Sequence, residues 1–127
     1  MEYTSIVISL ALLQYIYFMF AVGGARGKYG VKAPSCSGNE EFEKHFRVHQ
    51  NTLEQLLVFI PGMFLFAHYI NPVWGAGIGL VFIIGRFIYA YAYINNPDKR
   101  APGMLLSFFP NVILVLGGII GAIMKLI

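Results

Sequence analysis

Charge is scarce in this chain. Nine Lys and Arg and six Asp and Glu make up 12% of 127 residues, about half the share usual in a soluble domain. Cysteine is nearly absent: the single Cys36 excludes an intramolecular disulfide and cannot build a metal site by itself. Histidine is sparse too. His45 and His49 stand at i, i+4, but no Cys, Asp or third His is placed to complete a metal centre, so none is expected. The net charge of +3 could suggest a nucleic-acid partner, yet the basic residues form no stripe with interleaved aromatics. They cluster where helices would end, so no nucleic-acid binding is expected.

Apolar residues are abundant. They account for 57% of the chain, and the mean hydropathy is +0.66. A membrane-spanning helix needs about 20 mostly apolar residues, and four stretches qualify: 5–23, 53–69 (from about 45 if its polar start is included), 73–94 and 103–124. Almost nothing remains for a soluble domain, so residues 1–127 read as a single all-α membrane domain, a bundle of four transmembrane helices. The first run carries Glu2 and no Lys or Arg before a long apolar segment, which argues against a signal peptide. Gly23-Gly24 is expected to end the first helix and Pro61 to kink the second. Ile70-Asn71-Pro72 reads as a tight turn, making the second and third helices antiparallel neighbours. Gly75, Gly77 and Gly79 would let another helix approach closely.

Lysine and arginine gather on one side. The loops 24–44 and 95–102, with their flanks, hold Arg26, Lys28, Lys32, Lys44, Arg47, Lys99 and Arg100, against Lys125 alone opposite. By the positive-inside rule both loops face the cytoplasm and both termini lie on the other side.

One stretch departs from generic membrane helix. In Phe42–Glu54 the side chains Glu43, Arg47, Gln50, Asn51 and Glu54 recur at three- and four-residue offsets and share one helical face. A charge at the centre of a membrane helix costs roughly 2.5–3.5 kcal/mol on insertion scales, so it needs a partner or a task. On the third helix Arg86, Tyr89 and Tyr93 form a second face at i, i+3 and i+7, and Arg100 follows in the loop. One reading is structural: Glu54 and Arg86 as a buried pair that fixes helix register, and Arg47 reaching to the headgroups. The other is a ligand site. Arginines could hold carboxylates through charge-assisted bonds, a glutamate could take an ammonium group, and Asn, Gln and Tyr could fix an amide or a thiol. The complementary ligand is small, zwitterionic and peptide-like.

Phe42-Glu43-x-x-Phe46-Arg47-x-His49-Gln50-Asn51-x-x-Glu54, then Arg86-x-x-Tyr89-x-x-x-Tyr93 and Arg100, resembles the MAPEG family, the membrane-associated proteins of eicosanoid and glutathione metabolism. The likeness runs the length of the chain. It implies a homotrimer of four-helix subunits binding glutathione between neighbours near the cytoplasmic side. Arg47, Asn51, Glu54, Tyr89 and Tyr93, with Arg86 beside them, would hold glutathione from one subunit. Arg26 and His49 would reach it from the next. Arg100 would stabilise the thiolate, with Tyr93 as a second donor. Gln55 stands where the leukotriene-forming member has a glutathione-contacting tyrosine, and Gly27 where it has an arginine. The wording His49–Glu54 is nearer to the microsomal and bacterial glutathione transferases of the family.

The activity so implied is a membrane-bound glutathione transferase, with glutathione peroxidase activity possible in the same site. Its second substrate would be a hydrophobic electrophile or lipid hydroperoxide from the bilayer, received beside the fourth helix near Leu105, Phe108 or Phe109. A non-catalytic lipid-binding role and leukotriene formation are the alternatives within the family. A transporter would need a polar path across the bilayer, whereas the ionisable residues here stop near one face.

Overall fold

The computed structural model describes residues 1–127. It contains four long helices: α1 (Glu2–Tyr29), α2 (Glu40–Tyr69), α3 (Pro72–Asn95) and α4 (Ala101–Leu126), with one 3-10 turn, Pro97–Lys99, before α4. All four are long and apolar enough to cross a membrane. At 1.5 Å per residue, helices of 28 and 30 residues span about 42 and 45 Å, well beyond a hydrocarbon core of about 30 Å. The ends of α1 and α2 that adjoin the 30–39 connector therefore have room to project from it.

The helix boundaries differ from the sequence reading at that end. Helix α1 does not stop at Gly23-Gly24. Two mid-helix glycines weaken a helix by about 1 kcal/mol each, but they do not break its hydrogen bonding. The stop comes at Gly30, whose φ of 70° is left-handed, with the Val31 N–H donating back to the Arg26 carbonyl at 3.1 Å. Helix α2 starts earlier than residue 45, because the Asn39 side chain caps it by accepting from the Phe42 N–H at 3.0 Å. The whole polar stripe is consequently helical. Both α2 and α4 continue as helices through Pro61 and Pro110.

The turn between α2 and α3 is tight, as the sequence suggests. Asn71 accepts from the N–H groups of Val73 and Trp74 at 2.8 and 3.1 Å. The core joins Val7, Ile8 and Ala11 of α1 to Leu56, Phe59 and Met63 of α2, Phe82 and Ile83 of α3 and Leu114 of α4. Phe59 and Phe82 stack at its centre, with ring centroids 4.1 Å apart. Gln14, the one strongly polar side chain inside α1, is buried and donates to the Ile83 carbonyl at 2.9 Å. Around the outside Phe20, Leu57, Trp74 and Tyr91 are 71–74% exposed, as suits a surface solvated by lipid.

Helices α3 and α4 meet backbone to backbone. A Cβ at Gly85 would lie 2.7 Å from the Leu106 carbonyl carbon, and one at Gly103 would run into the backbone of Ile88 and Tyr89. This contact seats the first turn of α4, and the arginine just before it, beside the polar end of α3.

Candidate functional site

Arg47, Gln50, Asn51 and Glu54 of α2, Tyr89 and Tyr93 of α3, and Arg100 and Met104 at the start of α4 line one polar cavity of about 440 Å³. The offsets along α2 are three, one and three residues, so a single face supplies four walls of the cavity. Arg47 and Tyr93 also border a second recess of about 300 Å³ with Glu40, Glu43, Lys44 and Pro97. Glu43, the first member of the stripe, lies there and not in the main cavity.

The charges in the main cavity are unneutralised within the chain. The only ion pairs are Met1 with Glu2 and Lys44 with Glu41. Glu54 and Arg86 therefore do not form the buried pair that the structural reading required. The cavity wall carries two arginines and one glutamate, each free to meet a ligand. Arg100 spends one N–H on the Pro97 carbonyl at 2.9 Å, which fixes the side chain and leaves its other donors. Tyr89 and Tyr93 stack with centroids 5.6 Å apart.

Arg86 occupies a different place from its neighbours in sequence. It is 1% exposed and does not line the cavity. Its Nη2 donates to Asn51 Oδ1 at 2.6 Å and to Thr52 Oγ1 at 3.1 Å. The Thr52 hydroxyl proton is already committed to the Val48 carbonyl at 2.8 Å, so Thr52 can only accept. The guanidinium also lies 4.5 Å from the centroid of the Tyr89 ring, within cation–π range. Arg86 thus sits beneath the cavity and holds two of its walls. Because Asn51 Oδ1 is taken by Arg86, the asparagine presents its two N–H donors elsewhere.

Arg26 and His49 lie outside this cavity. Arg26 donates to the Ser35 carbonyl at 2.7 Å and packs over Phe42 at 4.9 Å. His49 stacks on Tyr15 at 4.4 Å, and its Nε2 is shielded without a partner. His45 is half-buried, and its Nδ1 is likewise unpartnered. The structure adds Gln50 and Met104 to the candidate walls. Gln50 was visible in the stripe. Met104 carried no chemical signal, though it falls one turn after Arg100.

Between α2 and α4, deeper than the polar cavity, lies an apolar one of about 330 Å³ lined by Val58, Phe108, Val112, Val115 and Leu116, with Gln55 and Asn111. Phe108 is the one residue of the expected electrophile groove that lines it; Leu105 and Phe109 do not.

The sequence model of the MAPEG family matches residues 4–120. Microsomal glutathione S-transferase 2 of Homo sapiens is 38% identical over 112 residues, which is 88% of this chain and 76% of the relative. An uncharacterized protein of Synechocystis sp. is 41% identical over 122 residues, 96% of this chain and 89% of its own length. Leukotriene C4 synthase of Cavia porcellus is 29% identical over 98 residues, covering 77% of this chain and 65% of that protein.

Proposed function

The chain belongs to the MAPEG family, and from that premise we propose that it is a membrane-bound glutathione transferase acting on hydrophobic electrophiles or lipid hydroperoxides drawn from the bilayer. The observation that carries this reading is the polar cavity whose two arginines and one glutamate have no ion-pair partner in the protein. Glutathione offers two carboxylates, one ammonium group, two amides and a thiol. Arg47 and the Asn51 amide take carboxylate or carbonyl oxygens, Glu54 takes the ammonium group, and Tyr89 and Tyr93 close the cavity over the peptide. Arg26 and His49, which do not line this cavity, serve that of an adjacent subunit in a homotrimer. The 30–39 and 96–100 connectors, with the helix ends beside them, face the cytoplasm, where glutathione is available.

Arg100 is assigned the chemical step. The thiolate is the nucleophile, and a thiol whose pKa is near 8.5 is only a few per cent ionised at neutral pH. Bringing that pKa down to about 6.5 takes roughly 2.7 kcal/mol of preferential stabilisation of the anion. One charge-assisted hydrogen bond is worth about 1.5–3 kcal/mol, so a single guanidinium N–H on the sulfur suffices. Tyr93 is the second donor. The remaining walls hold the peptide, which turns a bimolecular attack into a local one.

The test is the ultraviolet difference spectrum of the purified protein in detergent as glutathione is added at neutral pH. A thiolate band is expected. Binding without the band favours a non-catalytic lipid-binding member of the family, and no binding returns the polar stripe to a structural role.

A further inference from the structure

The apolar cavity between α2 and α4 contains two polar side chains, Gln55 and Asn111, whose bonds join the helices and leave one donor group over. Asn111 is 4% exposed. Its Nδ2 donates to the Gln55 carbonyl at 3.3 Å and to Gln55 Oε1 at 3.1 Å. The backbone carbonyl can only accept, so the Asn111 amide must turn its NH2 toward Gln55. That NH2 then requires Gln55 to turn its own Oε1 toward Asn111. Two amides whose orientations are interchangeable in isolation are therefore locked in one arrangement. Its consequence is that Gln55 Nε2, which makes no hydrogen bond in the protein, is left as the free polar group of this side chain on a cavity otherwise walled by Val58, Phe108, Val112 and Leu116. Asn111 Oδ1 is shielded and unpartnered, so it offers a ligand nothing. The unengaged polar group on this cavity is therefore the Gln55 NH2, a donor. In hydrocarbon, unmet polar groups cost several kcal/mol, and an all-apolar pair would pack α2 on α4 without that cost.

We propose that Gln55 and Asn111 form a carbonyl-reading subsite, and that the second substrate is a long-chain conjugated enone. The proposal rests on the glutathione reading of the polar cavity above and specifies which electrophile that cavity serves. The two cavities share no lining residue but succeed one another along α2 and α4. Met104 lines the polar one and Phe108, four residues or about 6 Å further along α4, lines the apolar one; Glu54 and Gln55 make the same transition on α2. An enone spanning the two would place its β-carbon beside Arg100, its carbonyl oxygen against Gln55 Nε2, and its alkyl chain along Val112 and Leu116. The carbonyl oxygen only accepts, which matches the unengaged Gln55 NH2. In the addition, the thiolate sulfur forms a bond to the β-carbon, the C=C pair shifts to make an enolate, and the negative charge arrives on the oxygen facing Gln55. The α-carbon then takes a proton from water, and the net change is addition of the thiol across the double bond. A donor aimed where charge develops favours the transition state over the ground state. Gln55 touches the substrate, and Asn111 is a positioning residue that acts through it.

The experiment compares kcat/KM for trans-2-undecen-4-one and for 1-iodononane, a chain of similar length with no carbonyl, each with glutathione and corrected for the uncatalysed reaction. Turnover is normalised to the amplitude of the thiolate band, so that loss of folded sites does not register. For the wild type the ketone is favoured. Gln55→Leu lowers the ketone-to-iodide ratio about tenfold, the worth of one neutral hydrogen bond. Asn111→Leu frees the Gln55 amide to rotate and lowers the ratio by a similar factor, and the double variant loses no more than either single one. A ratio that stays constant, both electrophiles falling together, or losses that multiply in the double variant would overturn the proposal while leaving the transferase reading in place. A wild type with no thiolate band would overturn both.

Discussion

Gly103→Ala isolates the contact that brings Arg100 to the site. A Cβ at residue 103 would stand 2.9 Å from the Ile88 carbonyl carbon and nearer still to the backbone of Tyr89. Carbon atoms in ordinary contact are about 3.5–4.0 Å apart. The obstructing atoms are helix backbone and cannot rotate aside, so α4 must move from α3 by about 0.6–1.1 Å or more. Arg100 lies three residues before Gly103 and travels with it, while Tyr89 and Tyr93 stay on α3. Displacements of about 1 Å at a reacting centre can cost about a hundredfold in rate, and overpacking of this kind costs about 1–3 kcal/mol of stability. The expected result is a fall in kcat of about a hundredfold at saturating glutathione, with a lowered melting temperature in detergent and a smaller change in glutathione affinity. Gly77→Ala is the matched control. Nothing lies within 4 Å of its Cβ position, and alanine is favoured over glycine in a helix by about 1 kcal/mol, so activity is kept and stability is equal or higher. A Gly103→Ala protein with the melting point and kcat of the wild type would show that the α3–α4 spacing does not set the site.

Three further outcomes are expected. Arg100→Ala keeps glutathione binding largely intact in an equilibrium titration but loses the thiolate band and about a hundredfold in conjugation, the equivalent of roughly 2.7 kcal/mol; lost binding with unchanged turnover at saturation contradicts the role. Glu54 is the only acid lining the polar cavity, so Glu54→Gln should weaken glutathione by about 10- to 150-fold, the range of one charge-assisted bond. The same substitution should leave a glutathione analogue lacking the amino group with its wild-type affinity, and an equal loss for both ligands refutes the assignment. Arg86→Met removes a buried cation that has no carboxylate partner along with its bonds to Asn51 and Thr52. The relieved desolvation offsets the lost bonds, so thermal unfolding should shift by less than about 2 kcal/mol while glutathione affinity falls about tenfold as Asn51 loses its anchor. Severe destabilisation with normal binding would make Arg86 a purely structural residue.

What the sequence determined by itself was whatever one helix encodes alone. Four apolar runs fixed the spans, and the three- and four-residue offsets from Arg47 to Glu54 fixed a polar face, because periodicity along a helix decides which side chains point together. Helix ends were less legible. Gly23-Gly24 looked like a stop and was not, since the left-handed turn that ends α1 forms at Gly30. Relations between helices were decided only by the tertiary structure. Arg86 and Arg100 look equivalent as basic residues flanking Tyr89 and Tyr93, yet one is turned into the bundle to hold Asn51 and the other faces the cavity. The pairing of Gln55 with Asn111 joins residues 56 apart, and neither is more than a stray amide when read alone. These relations depend on how far each helix rotates and how closely it approaches its neighbour. Close packing at Gly85 and Gly103 between α3 and α4, and at Gly62 and Gly118 between α2 and α4, sets both, and no pattern within a single helix records which surface will meet it.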